Sequence, residues 1–409
     1  MPLDSLAVSA VNGVTASGMK IDKLLYVLPK TTYFSQGRRG RVTHALGLCS
    51  GLAANGVQVT VVSGPGLDTL ERTLPPSIRY IEVPVPAGRR LRELRWSRTI
   101  RAAVGDELRR DPEIRCVLIR YSVSRARSFL PLLREFPQRL IGFEVNSLAY
   151  HQFTRLSPPL RRAMLRYECG ILNRAKFLYV VSRKLGDDIR VVSDEASPPL
   201  IVMPNAGPED LSGRVRDVGL ESGGARPVKF TYLGVFQPYY DLLTVISAFR
   251  ELRARHENAE LHLYGDGPLL NSARQAADGA ESIRFHGRYD LNDLLRCGAL
   301  DTDTVLLLPY AAGGLAEIGS PTKLFEYMAL GLPIISTPVG QISEILRDEE
   351  TAVFYRPGDR ASLAQKMEAM MESPEGRMRL TKNLKASYVN EHTWAQRTVA
   401  LKSFLRSLL

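Results

Sequence analysis

Two side chains of opposite charge, Lys323 and Glu326, interrupt an apolar stretch near the end of the chain, "SPTKLFEYMALGLPII". Residues three apart lie on the same face of a helix. If this stretch is helical, its first turn also presents backbone N–H groups that have no intrahelical acceptor, and such groups attract phosphate. A cation, a carboxylate and these N–H groups indicate a site for a phosphorylated ligand. The alternative is an ion pair on a solvent-exposed helix face.

The residues around this pair predict where the helix begins and ends. Ser320 is a favourable N-cap, Pro321 fits the first helical position, and Gly331 is a typical terminator. We therefore expect a helix from about residue 321 to residue 330, with both charged side chains off its apolar stripe. The residues that follow, "LPIIST", read as a buried strand.

The bulk properties of the chain indicate a soluble protein with two domains. Its 409 residues exceed the usual size of a single hydrophobic core. The composition is 44% apolar and 24% charged, and no apolar run has the length of a membrane span. Residues 1–20 lack the basic start of a signal peptide and are expected to form a flexible tail. The four scattered cysteines fit the reduced thiols of a cytoplasmic protein.

The positive charge of the chain is concentrated in its first half. Residues 1–204 hold 31 Lys and Arg against 17 Asp and Glu, whereas residues 205–409 hold 23 against 26. The excess peaks in "GRRLRELRWSRTIR" and "RLSPPLRRAMLR". An anionic membrane, an anionic substrate or a solvated arginine-rich surface would each account for it. No nucleic-acid-binding motif accompanies the charge, so no nucleic-acid partner is expected.

Apolar strands and amphipathic helices alternate along the whole chain. "DKLLYVLP", "VQVTVVS", "CVLIRYS", "RLIGFEV" and "FLYVVS" read as strands of a first domain. "KFTYLG", "AELHLYG", "SIRFHG", "TVLLLP" and "LPIIST" read as strands of a second. Continuous apolar strands between helices indicate parallel sheets that are covered on both faces. We expect a first domain at 21–204, a second at 205–385, and a terminal helix at 386–409 that crosses back to the first.

Several short motifs follow one another in a specific order. The first half carries "QGRRGRVTHAL", "GLAANGVQVTVVS", "VVSRKLGDDI" and "MPNAG", and the second carries "LYGDGP", "FHG" and "FEYMALGLPII". Over about residues 20–400 this order resembles the retaining nucleotide-sugar glycosyltransferases of family 4, in a branch with an S-P-x-K-L-F-E-Y-M-A helix motif. The resemblance implies the GT-B fold, an α/β architecture in which two Rossmann-like doubly wound parallel-sheet domains face a central cleft.

The resemblance also implies roles for residues at the matching positions. Glu326 would accept hydrogen bonds from the ribose hydroxyls of the donor, because a carboxylate can accept two at once. The start of the helix would hold the diphosphate, and the glycines of the first domain would let the backbone approach it. The donor-binding residues implied are Gly37, Gly40, Gly234, Gly265, Arg288, Ser320, Pro321, Thr322, Lys323 and Glu326.

Two departures from the family pattern affect the expected catalytic residues. A second family glutamate falls on Ile318, so the neighbouring Glu317 becomes the candidate for holding sugar hydroxyls. Val235 and Tyr240 stand where the family has the Arg and Lys that neutralise the diphosphate. Fixed cations stabilise a departing diphosphate, so we expect Lys323 to take over this task. The other candidates for stabilising the diphosphate are Arg38, Arg39, Arg41 and Arg288.

A third departure concerns the sugar and the acceptor. Where the family often has His after a strand of the first domain, this chain reads "GFEVNSLAYH". Glu144, Asn146 and His151 are therefore candidates for contacting the transferred sugar or the acceptor. The candidate catalytic residues are Lys323, Glu317 and Glu144, and the candidate acceptor-binding residues are Arg38, Arg41, Asn146 and His151.

Neither a metal nor another cofactor is expected. The "DTD" at 301–303 matches a metal signature of a different glycosyltransferase fold, but it precedes a strand and reads as a solvated turn. No cluster of His, Asp and Glu has metal-ligand spacing in the sequence. His44, on the first helix, reads as a packing or capping residue whose helix would border the cleft. The nucleoside-diphosphate sugar would be a co-substrate.

The leading hypothesis is a retaining, metal-independent transfer of a hexosyl unit from a nucleoside-diphosphate sugar to a hydroxyl or other nucleophile. Two alternatives stay open: a nucleotide-sugar 2-epimerase, and a non-catalytic nucleotide-sugar-binding protein in which Val235 and Tyr240 mark lost cations. The acceptor is open between a glycan, a lipid-linked compound and a small molecule of secondary metabolism. We expect a cytoplasmic protein, with peripheral contact at an anionic inner membrane face as a further option.

Overall fold

Two parallel sheets organise the described part of the chain. The structure is a computed structural model that describes residues 21–31, 40–66, 75–87, 92–153, 156–193, 197–219 and 226–409. The expected tail at 1–20 and the predicted site residues Gly37, Arg38 and Arg39 lie outside these ranges. The first sheet has seven strands and the second has six among the described residues.

The first sheet and its helices form an N-terminal domain. Its strands are β1 (Lys23–Leu28), β2 (Gln58–Ser63), β3 (Ile78–Glu82), β4 (Cys116–Arg120), β5 (Leu140–Val145), β6 (Leu178–Val180) and β7 (Leu200–Val202). Its helices are α1 (Gly40–Ala54), α2 (Arg92–Arg110), α3 (Leu130–Glu135), α4 (Ala149–Gln152), α5 (Pro158–Leu172) and α6 (Arg183–Ser193). The strand order is β3-β2-β1-β4-β5-β6-β7, and every neighbouring pair is parallel.

The second sheet and its helices form a C-terminal domain. Its strands are β8 (Val228–Leu233), β9 (Ala259–Tyr264), β10 (Ile283–Gly287), β11 (Thr304–Leu308), β12 (Ile334–Ser336) and β13 (Val353–Phe354). Its helices are α7 (Leu242–Arg253), α8 (Leu270–Ala277), α9 (Leu291–Arg296), α10 (Thr322–Leu330), α11 (Ile342–Ile345), α12 (Arg360–Glu372) and α13 (Pro374–Ser387). The order is β10-β9-β8-β11-β12-β13, again parallel.

The strand orders fix where each domain can bind a ligand. In the first sheet β1 lies between β2 and β4, and in the second β8 lies between β9 and β11. The chain reverses its direction of winding at these strands, and a crevice opens there at the carboxyl ends. The residues that follow β1, β4, β8 and β11 therefore face the candidate ligand sites.

The last helix, α14 (Trp394–Arg406), returns to the N-terminal domain. Trp394, Leu401 and Leu405 are buried in the same core cluster as the first sheet. Gly47 and Gly51 of α1 permit this contact, since a Cβ at Gly51 would lie 2.4 Å from the Trp394 carbonyl oxygen. A short π-helical segment, Tyr388–His392, precedes α14. The domain limits given above stay a prediction.

The predicted fold class is confirmed. Central strands are almost wholly buried along their length, as in β1, β5 and β11, which is the pattern of a sheet covered on both faces. The edge strands β3, β7 and β13 were not predicted, because their apolar runs are short and only partly buried. No helix among the described residues is long and apolar enough to cross a membrane.

Candidate functional site

The start of α10 lies at the crevice of the C-terminal domain. The helix begins at Thr322, with Pro321 as its N-cap, and ends at Gly331, whose φ of 62° is left-handed. The predicted start was one residue too early. Ser320 does not cap the helix; its hydroxyl accepts from the Asn205 backbone N–H at 2.8 Å and donates to the Gln341 side chain. A tertiary contact therefore replaces the expected local one.

Lys323 is buried, so the prediction that it lies off the buried face of the helix is wrong. Its Nζ donates to the Tyr232 hydroxyl at 2.8 Å and lies 4.1 and 3.8 Å from the ring centroids of Tyr232 and Tyr240. We call these two residues the tyrosine cage. A Cβ at Gly234 would lie 1.8 Å from this Nζ, so the strand end needs glycine there. The Lys323 ammonium therefore lies at the loop that follows β8. In this loop Val235 and Tyr240 stand where cations were expected.

The charges of Lys323 and Glu326 are both disfavoured by their surroundings. Burial lowers the pKa of Lys323 well below its ordinary value of 10.5, and the nearby carboxylate opposes this only in part. Burial raises the pKa of Glu326, and Lys323 opposes that shift. No described residue donates a hydrogen bond to the half-buried Glu326 side chain. Its oxygens are therefore available to a ligand, as the predicted role at the ribose requires.

Glu317 stabilises the loop before α10 through two hydrogen bonds. Its two carboxylate oxygens accept from the backbone N–H groups of Gly313 and Gly340, each at 3.1 Å. Those residues flank the short 3-10 turn Gly314–Glu317 and the loop after β12. The side chain is exposed, but both oxygens are already engaged. Its role in holding sugar hydroxyls stays a prediction.

A buried chain of hydrogen bonds joins the two domains beside α10. The Asn205 side chain contacts His44 through its oxygen and donates to the Ser320 carbonyl through its nitrogen. The other ring nitrogen of His44 lies 2.8 Å from Glu144, and the His44 ring packs edge-on against Trp394. His44 is therefore a packing residue, as expected, and it also links β5 to the crevice.

Glu144 is a fully enclosed carboxylate beside the crevice of the N-terminal domain. It has no exposed surface, and it accepts from Tyr26, Asn146 and Arg120, the last at 2.8 Å. Burial by itself raises the pKa of Glu144, but the charges of Arg120 and His44 outweigh it and bring the pKa to about 2. The carboxylate is thus ionised and surrounded by its partners. A catalytic role for Glu144 stays a prediction.

A cavity of about 310 Å³ lies at the carboxyl ends of β1, β4 and β5. Of the predicted acceptor residues, Arg41 and Asn146 line it. His151 does not; it is buried, and its Nε2 lies 2.9 Å from Asp188. Burial lowers the pKa of His151, which the Asp188 carboxylate partly opposes. A role for His151 at the acceptor stays a prediction.

The remaining predicted donor residues lie around the crevice of the C-terminal domain. Gly40, at the start of α1, faces Thr322 of α10 across the domain boundary, since a Cβ there would lie 3.1 Å from the Thr322 hydroxyl. Gly234 and Gly265 end neighbouring strands and pack against each other. Arg288, after β10, is exposed, with its Nε 3.4 Å from Asp266. The structure thus groups the starts of α1 and α10 with the two strand-end glycines.

Sequence reasoning missed the partners that hold these residues. Tyr232, Asn205, Gln341, Lys30 and Arg125 belong to the two crevices, yet none was named as a site residue. The signal for the cage was present, because a lysine in an apolar helix needs a partner for its ammonium. The signal for Asn205 was its place in "MPNAG", at the end of the first domain.

The structure also brings together three potential metal ligands that the sequence did not suggest, His256, Glu368 and Glu372. Glu368 is already held by both Arg255 Nε and Arg255 Nη2, each at 3.2 Å. A guanidinium at the same carboxylate disfavours a cation there. Asp301 of "DTD" is buried and pairs with Lys229 at 2.5 Å, before β11 and away from the carboxyl ends.

Both halves of the chain match known family models. Residues 39–206 match a glycosyl transferase 4-like domain, and residues 227–373 match glycosyl transferases group 1. A glycogen synthase of Mycobacterium tuberculosis is 25% identical over 172 residues, which cover 41% of this chain and 40% of that protein. The chain is thus aligned with less than half the length of this curated relative.

The fold is shared with solved structures over nearly the whole chain. Sucrose-phosphate synthase from Thermosynechococcus elongatus gives a TM-score of 0.69 at 17% identity, covering 95% of this chain and 99% of that one. The Anabaena protein Alr3699/HepE in complex with UDP and glucose gives 0.68 at 13% identity, covering 94% and 99%. The chain joins a glycosyl transferase 4-like domain to a glycosyl transferases group 1 domain in a single GT-B fold.

Proposed function

We propose that the protein is a retaining glycosyltransferase that moves a sugar from a nucleoside-diphosphate sugar to a hydroxyl or other nucleophile of an acceptor, without a metal. The observation that carries the proposal is the Lys323 ammonium, held against Gly234 at the start of α10, where the neighbouring Thr322 faces Gly40 of α1. The two matching family domains support the activity class. The fold neighbour in complex with UDP and glucose supports a nucleotide-sugar donor.

The reaction breaks the bond between the sugar anomeric carbon and the diphosphate oxygen. The acceptor oxygen forms its new bond to the same carbon from the side that the diphosphate leaves, so the configuration is retained. The proton of the acceptor hydroxyl passes to a diphosphate oxygen. No protein nucleophile is needed, which suits a site where Glu317 and Glu144 are both engaged by other residues.

Lys323 is the residue we assign to the leaving group. Negative charge grows on the diphosphate as the bond breaks, and a cation fixed in a dry site stabilises that charge with little reorganisation. The helix N-terminus at Thr322 adds backbone N–H groups. Glu326 would hold the ribose, because its oxygens lack donors among the described residues. Arg288 and Gly265 would lie at the nucleotide.

A nucleotide screen followed by a transfer assay tests this proposal. We expect UDP, GDP or dTDP, or one of their sugars, to raise the melting temperature, and the matching sugar to be hydrolysed or transferred with its anomeric configuration kept. Chelation by EDTA should leave the rate unchanged. Silence with every nucleotide would refute the proposal. Formation of a 2-epimer without an acceptor would assign the chain to a different enzyme class.

We further propose that the protein contacts anionic membranes at its periphery. The region of α4 and α5 exposes Phe153, Leu160 and Tyr167 beside Arg162 and Arg166. Apolar side chains flanked by arginines are typical of surfaces that bind anionic lipid heads. Flotation with vesicles that contain phosphatidylserine, but not with neutral vesicles, is expected at low salt and should weaken as salt rises. Equal flotation with both would contradict the electrostatic part.

A further inference from the structure

The cavity of the N-terminal domain is more cationic than sugar binding requires. Lys30, Arg41, Arg120 and Arg125 all line it, and no carboxylate does among the described lining residues. Arg120 pairs with Glu144 and Arg125 with Glu93, and neither carboxylate lines the cavity. The described lining residues therefore present positive charge to the cavity.

The positive charges of the three arginines act on Lys30. The pKa of Lys30 is lowered first by partial burial and then by the charges of Arg41, Arg120 and Arg125. Arg125 is buried, and its Nε has no hydrogen-bond acceptor among the described residues. Holding like charges together in one cavity costs free energy, and a bound anion offsets that cost.

The polar groups of the cavity fit a phosphate better than a carboxylate. The hydroxyls of Ser122 and Ser124 stand 3.3 Å apart in the same wall as Arg125. Arginine forks bind oxyanions in pairs of hydrogen bonds. Two arginines, a lysine and two hydroxyls supply more donors than the two oxygens of a carboxylate can use, whereas a phosphate monoester offers three oxygens.

Two further side chains of the cavity are suited to hydroxyl groups. The Asn146 amide nitrogen donates to Glu144, and the Gln152 amide nitrogen donates to Ser147 at 2.7 Å. The carbonyl oxygens of both side chains are then left to accept from a ligand. Gln152 belongs to α4, which packs against the 3-10 turn Gly314–Glu317 that precedes α10. Gln152 therefore lies on the side of the cavity towards α10.

We propose that this cavity binds the acceptor by a phosphate group, so that the acceptor is a phosphorylated hydroxyl compound. The inference rests on the proposed function, in which the N-terminal domain holds the acceptor. The phosphate lies at Lys30, Arg41 and Arg125, and the hydroxyls lie at Asn146 and Gln152. A volume of about 310 Å³ holds one phosphorylated sugar-sized unit, so any lipid attached to the phosphate would remain outside.

Calorimetric titration of the protein, saturated with the nucleoside diphosphate that the nucleotide screen identifies, tests the inference with the donor site filled. The probes are inorganic phosphate, glucose 6-phosphate and glucose. We expect the two phosphates to bind and glucose to bind far more weakly. Lys30→Met and Arg41→Met should each weaken phosphate binding by about 10- to 100-fold, the range for a lost charge-assisted hydrogen bond. Arg127→Met, at an exposed position two residues from Arg125, should change nothing.

The inference is overturned by no phosphate binding in the wild type, by glucose binding as tight as glucose 6-phosphate, or by an equal loss in Arg127→Met. The affinity for the nucleoside diphosphate, measured alone, should be the same in Lys30→Met as in the wild type. A matching loss of that affinity would make the cavity part of the donor site and would also overturn the acceptor assignment. If a nucleoside diphosphate binds and phosphate does not, the inference fails while the proposed function stands; absence of binding by UDP, GDP and dTDP alike is the failure of the function itself.

Flotation with lipid vesicles distinguishes a lipid phosphate from a soluble phosphate ester as the ligand of the cavity. Phosphatidylcholine vesicles with and without phosphatidic acid are floated with wild type, Lys30→Met and Arg127→Met. A lipid phosphate in the cavity predicts that only Lys30→Met loses binding to the phosphatidic acid vesicles. Equal flotation of all three proteins, together with phosphate binding in solution, assigns the cavity to a soluble phosphate ester.

Discussion

The buried ammonium of Lys323 lies at the start of α10, the position proposed for the diphosphate. The tyrosine cage offers it two ring faces and one hydroxyl, and such contacts compensate only part of the lost hydration. The side chain is therefore strained electrostatically before a ligand arrives. A diphosphate relieves this strain, and the growing charge of the leaving group relieves it further.

Lys323→Met should separate catalysis from stability. Methionine fills a similar volume without a charge, and the Tyr232 hydroxyl keeps its hydrogen bond to the Val235 carbonyl oxygen. We expect kcat to fall by about 10²- to 10³-fold and donor KM to rise by a smaller factor, because the diphosphate also contacts the ammonium in the ground state. The melting temperature should equal or exceed that of the wild type. Lys382→Met, on an exposed part of α13, is the matched control, and wild-type kcat in both variants would remove Lys323 from the mechanism.

Glu326→Ala should act on binding instead of the chemical step. The ribose hydrogen bonds assigned to this carboxylate are the same in the ground state and the transition state. We expect donor KM to rise by about 10- to 100-fold while kcat changes little. Steady-state kinetics with the donor identified by the nucleotide screen give both constants. An effect confined to kcat would show that Glu326 contacts the reacting sugar.

Nucleotide binding should be accompanied by proton uptake. The pKa of Lys323 in the free protein is far below 10.5, and a nearby diphosphate raises it. At any pH between the two values, binding adds a proton, so the affinity for nucleoside diphosphate falls as pH rises through that interval. Calorimetry in buffers of different ionisation enthalpy measures the uptake. Lys323→Met should abolish it, and uptake that persists in this variant would assign the proton to another group.

Among the helices and strands, those that local sequence patterns determine could be predicted. The central strands and α10 could be predicted, because burial on both faces gives continuous apolar runs and glycine ends a helix. The edge strand β10 was predicted as well, but the edge strands β3, β7 and β13 were not; β7, for example, has three half-buried residues whose pairing with β6 is not a local contact. The burial of Lys323 was mispredicted for a similar reason. Three residues of spacing place it beside Glu326, but only the fold brings the tyrosine cage over it.

The same distinction applies to the candidate site. Family motifs named Gly40, Thr322, Lys323 and Glu326, which the structure groups at one crevice. They could not show that Glu317 is bound by two backbone N–H groups or that His151 is buried beside Asp188. Those contacts join residues that are far apart in the chain or depend on loop conformation. Neither kind of contact can be predicted from neighbouring residues in the sequence.

The packing of α14 on α1 can be tested with one variant that should lower the free energy of unfolding and a control variant that should raise it. Gly51→Ala places a Cβ 2.4 Å from the Trp394 carbonyl oxygen, which belongs to backbone and cannot rotate away. We expect a loss of about 1–3 kcal/mol in the free energy of unfolding. Gly170→Ala, in α5, meets no atom within 4 Å and should stabilise by about 0.5–1 kcal/mol. Denaturant titration measures both; equal stability of the two variants would contradict the docking of α14.

At the scale of the whole molecule, the two domains are tied by side chains as well as by the connecting chain. His44, Asn205 and Ser320 form a buried path from the first sheet to the start of α10. Gln341 extends it by donating to the Val181 carbonyl oxygen at 2.8 Å. Because this path ends at Ser320, just before the start of α10, a change in it is expected to alter the position of Lys323.

Asn205→Ala tests this connection. The change leaves His44 and the Ser320 carbonyl without their partner in a buried place, at about 1–3 kcal/mol for each unsatisfied group. We expect a melting temperature lower by about 4–10 °C and a calorimetric trace that separates into two transitions, because the domains no longer unfold together. Asn271→Ala, at an exposed position of α8, should leave one transition at the wild-type temperature. If Asn205→Ala melts like the wild type but loses activity, the path orients α10 without coupling the domains. If it keeps both stability and activity, the hydrogen bonds across the boundary have no role in either.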